Sequence, residues 1–120
     1  MNNICLELKR WGCDIDGAME RFMDDDELYV TCLDSIISDD NFDKLGNALK
    51  DKNYTIAFDC AHTLKGVIAN MGLTPLYDTV VKIVEPLRNG QTGNLLLYYA
   101  QLLEAKDYLN GIVCQEMDNT

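Results

Sequence analysis

The 120-residue sequence predicts an all-α protein, an up-and-down antiparallel four-helix bundle with additional short N-terminal helices. Three observations predict it. Apolar residues recur three and four apart along nearly the whole chain, as a helix with one buried face requires. Asp, Asn or Thr stands before most of these runs, and glycine or proline punctuates them. The links between the longer runs are short, and short links join antiparallel neighbours. No stretch alternates in the manner of a half-buried strand.

The elements follow in order. Residues 1–11 form an amphipathic helix through Ile4, Leu8 and Trp11, ended by a turn at Gly12. Asp16 is the candidate cap of a small helix carrying Met19 and Phe22. A helix over 24–38 sets Tyr29, Leu33, Ile36 and Ile37 on one stripe. Its leading run Asp24-Asp25-Asp26-Glu27 reads as a helix start, because carboxylates cap free N–H groups and suit the positive end of the dipole. A calcium loop needs spaced oxygens and a glycine turn, both absent there.

Asp40 or Asn41 caps a helix bearing Phe42, Leu45 and Leu49, which Gly46 weakens by about 1 kcal/mol relative to alanine. Asn53 opens the next helix, and Gly72 closes it in the left-handed conformation. Thr74 and Pro75 restart the chain with a capping hydroxyl and a proline at the first helical position. Leu76, Val80, Ile83 and Leu87 then share a face, with Pro86 kinking or tightening the last turn. After a loop at 90–93, a final helix over about 94–112 aligns Leu95, Tyr98, Leu102, Ala105, Leu109 and Ile112.

Composition bounds the function. The length fits one domain, 1–120, and a hydrophobic content of 48% supplies a core. No run approaches the ~18 apolar residues of a membrane span. The first 11 residues lack the basic start and long apolar centre of a secretion signal, so the expected location is cytoplasmic. A net charge of −10 repels phosphate backbones and argues against nucleic acid as a partner. Cys5, Cys13, Cys32, Cys60 and Cys114 include no Cys-x-x-Cys pair, and with one histidine they make a poor zinc set. They read as reduced, mostly core residues.

That one histidine, His62, is the candidate functional residue. On a helical wheel Cys60, Leu64, Val67 and Met71 lie opposite it, flanked by Ala57 and Ile68. His62 shares its own stripe with Phe58, Lys65, Gly66 and Ala69, and Asp59 lies at the edge. An exposed imidazole is a nucleophile near neutral pH. A phosphoryl group on it would bring about −1.5 to −2 charges, which the Lys65 ammonium one turn on could approach. Gly66, directly over His62, leaves room for an incoming group at a cost to the helix. Phe58, Asp59 and Ala69 are candidate partner contacts. Taken singly, His62 reads as a solvated surface residue or a satisfied core group, Lys65 as an ordinary surface lysine and Gly66 as a tolerated defect. Together they favour a functional histidine.

At these residues the chain resembles the histidine-containing phosphotransfer (HPt) family of two-component phosphorelays. The resemblance lies in His62-Thr63-Leu64-Lys65-Gly66, then Asn70-Met71-Gly72 and Leu76. Over 16–33, Met19, Glu20, Arg21, Phe22 and Glu27-Leu28-Tyr29 are also similar to the family's usual lead-in. The resemblance implies a helical bundle whose His62 takes a phosphoryl group from a receiver-domain aspartate and passes it to another. Lys65 would be the electrostatic helper and Gly66 the access residue. It further implies no cofactor on this chain, with magnesium held by the receiver, and partners among response-regulator receivers and hybrid sensor kinases. Many members carry Glu or Gln where Val84 stands, a group thought to bond the imidazole. Here Glu85 comes one residue later and faces elsewhere on a regular helix, leaving Lys82 or Arg88 to approach.

The expected role is therefore a phosphocarrier and not an enzyme, for the chain has no Gly-rich phosphate loop. Two alternatives stay open: a bundle that binds a receiver or kinase without taking phosphate, and a purely structural helical bundle.

Overall fold

A computed structural model describes residues 2–118 and, among them, seven helices. These are α1 (Asn3–Trp11), α2 (Ile15–Arg21), α3 (Asp26–Ile37), α4 (Asn41–Lys50), α5 (Tyr54–Asn70), α6 (Thr74–Arg88) and α7 (Leu95–Asp118). Met1, with which the predicted first helix began, lies outside the described residues, as do 119 and 120 of the predicted domain. The expected all-α bundle is present. α5 packs between α4 and α6, α6 packs on α7, and α7 returns against α4 to close four helices. Leu45 and Leu49 of α4, Leu64 and Ile68 of α5, Val80 and Ile83 of α6, and Leu102 and Leu109 of α7 fill the centre.

The N-terminal helices decorate this bundle and fix one end of α5. α1 lies along α7, where the Trp11 and Tyr108 rings meet at 4.8 Å. Tyr29, fully buried, donates its hydroxyl hydrogen to the Met71 carbonyl at 2.7 Å. Arg21 donates to the carbonyls of Asn70 (2.9 Å) and Ala69 (3.3 Å), oxygens that a helix end leaves without intrahelical partners. The Asp14 amide donates to Gly72 at 2.8 Å. Gly72 has φ +69°, and any Cβ there would collide with the Asp14 carbonyl, so this turn requires glycine twice over.

Several local expectations need correction. Asp14, not Asp16, caps α2 by accepting from the Gly17 amide at 3.1 Å, while Asp16 pairs with Lys9 at 3.2 Å. The acidic run does start a helix as expected, with Asp25 accepting from the Leu28 amide at 3.0 Å. Asp40 precedes α4 without a side-chain cap; the neighbouring Asp39 accepts from Asn41 at 2.8 Å instead. Leu73 occupies the cap position of α6, and the Thr74 hydroxyl points back to the Gly72 carbonyl at 3.4 Å. Val67, expected on the apolar stripe, is 38% exposed, because the core centres on Ala61, Leu64 and Ile68 and leaves Val67 at its margin. The final helix runs past 112 to Asp118.

Gly46 is no defect. It is buried against Tyr99, whose hydroxyl donates to the Phe42 carbonyl at 2.8 Å, and a Cβ at 46 would overlap that ring.

Candidate functional site

α5 is a 17-residue helix opened by Asn53, whose side chain accepts from the Ile56 amide at 3.3 Å. His62 stands at its middle and is exposed. Ala57, Cys60, Ala61, Leu64 and Ile68 are buried, and that stripe turns the imidazole outward. The one thiol on this helix, Cys60, faces the other way, where burial raises its pKa and keeps it protonated.

Phe58 stacks on His62, with ring centroids 5.5 Å apart and planes inclined by 23°. The phenyl ring is half-buried, and the Arg88 guanidinium of α6 lies over it, 5.5 Å from its centroid. Arg88 thus approaches the site, as one of the two candidate cations. The other, Lys82, does not, sitting 6.0 Å over the Tyr98 ring of α7.

Glu85 overturns the expectation that it faces elsewhere. Its Oε1 lies 3.7 Å from Lys65 Nζ, and its Oε2 lies 3.8 Å from Arg88 Nε. Val84, at the place where the resemblance implies a partner for the imidazole, is buried in the core. Two cations, one on the His62 helix and one on α6, therefore share one carboxylate.

A Cβ built on Gly66 meets nothing within 4 Å. Beyond it opens an apolar groove of about 320 Å³, lined among others by Phe22, Cys32 and Ile36 on one side and Gly66, Val67 and Met71 on the other. Asp59 is exposed and borders a separate cleft with Tyr54, Phe58 and Arg88. Ala69 is exposed two turns beyond His62, near the end gripped by Arg21. The structure thus gathers His62, Phe58, Lys65 and Gly66, with Asp59 and Ala69 at the two ends of the same face. Sequence spacing missed Glu85 as the partner of Lys65; the Glu85 and Arg88 pair three apart was the available signal.

Chemically the arrangement offers one accessible nucleophile, two cations able to meet an anion, and an open approach. Among the described residues no group of three or more His, Cys, Asp or Glu is arranged to hold a metal ion, and no helix is long and apolar enough to cross a membrane. The family model described as Hpt domain matches residues 37–111, from the end of α3 through most of α7, well over half of the chain. The family-like lead-in over 16–33 lies before that match. No curated protein and no solved structure matches the chain.

Proposed function

The chain belongs to the Hpt domain family, whose members are phosphotransfer modules of two-component signalling, and on that premise we propose that it is a relay intermediate working through His62. The observation that carries the proposal is the exposed imidazole beside the empty space over Gly66. A receiver domain presents its aspartyl phosphate there. The imidazole nitrogen attacks phosphorus, a P–N bond forms, and the P–O bond to the receiver aspartate breaks with its electrons leaving on the carboxylate. The reverse step, on a second receiver, discharges His62. Lys65 and Arg88 oppose the charge on the phosphoryl oxygens.

Little else is asked of this protein, because positioning and electrostatics dominate phosphoryl transfer. It acts as a phosphocarrier without turnover of its own, in the cytoplasm, and magnesium belongs to the receiver. Phe58, Val67 and Ala69, with the groove next to Gly66, form the surface the receiver covers, and Asp59 contacts it at the edge. A receiver or a hybrid sensor kinase is the partner, and the acidic surface disfavours nucleic acid.

One observation favours a second reading, a module that binds a receiver without taking phosphate: the buried Val84 leaves the imidazole without the expected Glu or Gln. Incubation with labelled phospho-receivers separates the two. Under the proposal label moves to the wild type and not to His62→Gln. Receiver binding with no label on the wild type selects the binding module.

A further inference from the structure

Glu85 has no part in the transfer just described, yet it touches both cations that do. We propose that Glu85 is a displaceable counter-ion: it holds Lys65 and Arg88 while His62 is free, competes with the phosphoryl group for them afterwards, and thereby keeps phospho-His62 from becoming a sink. The inference rests on His62 being the phosphoacceptor and deepens that reading.

Geometry comes first. Among the described residues Glu85 is the one carboxylate paired with either cation, at 3.7 Å from Lys65 and 3.8 Å from Arg88. Both separations exceed the roughly 2.7–3.2 Å of a good hydrogen bond, so neither pair is locked. The Glu85 side chain is 47% exposed, and Lys65 is 25% exposed. Water can replace either contact at small cost. The backbone beneath is fixed more firmly. Asn89 donates to the Glu85 carbonyl through its main-chain N–H at 3.2 Å and its side-chain amide at 3.1 Å. Val84 on one side is core, and Pro86 on the other sets the final turn. Glu85 therefore stays on the α5 side of α6 while its carboxylate remains free to let go.

Charge supplies the consequence. With His62 free, Lys65, Arg88 and Glu85 together carry about one positive charge, which favours the approach of a phosphoryl donor to these groups. A phosphoryl group adds about −1.5 to −2. The phosphoryl oxygens and the Glu85 carboxylate are then like charges beside the same two cations, and each contact won by one is lost by the other. The free state keeps its ion pairs and the phosphorylated state loses part of its own. A carrier that must give up its cargo benefits from that limit.

The test uses phosphoramidate as donor at a fixed ammonium concentration. The donor's P–N bond breaks as the imidazole nitrogen bonds phosphorus, and the departing ammonia takes up the imidazole's proton. With one histidine in the chain, phosphorus NMR reads the ratio of phosphohistidine to donor without ambiguity. Glu85→Gln is expected to raise that ratio about three- to fivefold, the scale of a surface ion pair, while Glu85→Asp stays near wild type. The excess should fade in 1 M salt, where the screening length falls to about 3 Å, a response that a merely structural role would not give. A ratio in Glu85→Gln equal to or below a wild type that does load overturns the counter-ion role and leaves the phosphoacceptor standing. A wild type that never loads at His62 removes both.

Discussion

Each half of the site rests on a side chain whose size or charge can be changed alone. Gly66 is the clearest case, since nothing lies within 4 Å of the Cβ it lacks and its backbone is ordinary helix. Packing gives no reason for glycine there, and alanine would stabilise the helix by up to about 1 kcal/mol. The remaining reason is access. Gly66→Leu should therefore raise the melting temperature slightly and slow transfer from a phospho-receiver by on the order of tenfold or more, because a small misplacement of reacting atoms is expensive. Unslowed transfer in that variant would remove the access role. His62, Lys65 and Gly66 were legible in the sequence because one helical wheel fixes their directions about a common axis. Glu85 was not. Its wheel gives its direction about α6 alone, and the contact with Lys65 depends on the packing of α6 on α5 and on two long, flexible side chains closing the gap.

At the level of helices, two mid-helix glycines that look alike in sequence have opposite meanings. Gly46 on α4 receives the edge of Tyr99 from α7, with the ring's Cζ falling 2.6 Å from where a Cβ would stand. The ring cannot retreat freely, because its hydroxyl is bonded to the Phe42 carbonyl. Gly46→Ala should thus destabilise by about 1–3 kcal/mol through overpacking, despite alanine's better helix propensity. Gly66→Ala should do the reverse, and chemical denaturation of the two variants side by side reads the difference in sign. The sequence predicted each helix because three-and-four spacing survives in every one, and misplaced caps by one or two residues because several adjacent Asp, Asn or Thr side chains compete for the same N–H groups. Which carboxylate wins at α2 depends on the approach of Gly72 to Asp14, a contact far along the chain that no local pattern contains.

Across the whole molecule, the layer built by α1, α2 and α3 holds the end of α5, and that layer contains groups that burial keeps neutral. Cys5 and Cys13 are buried, and their thiols are pushed up from 9.0 to about 11 and about 12, chiefly by desolvation. Tyr29, buried and bonded to Met71, is raised for the same reason. In the unfolded chain these thiols lose their protons near pH 9, whereas in the folded chain they keep them. Below pH 9 both states hold the same protons and stability does not depend on these groups. Above it the unfolded state is progressively favoured until the folded thiols titrate as well. The melting temperature should accordingly be level from pH 7 to 8.5 and fall by about 5 °C or more at pH 10.5. The Cys5→Ala, Cys13→Ala double variant should lose distinctly less over the same interval in circular-dichroism melts, each protein referred to its own value at pH 7. An identical fall in both proteins would assign the alkaline loss to other groups and take the N-terminal thiols out of the account. A smaller fall in the double variant would mean that the grip on α5, and with it the footing of His62, depends on thiols the core keeps protonated.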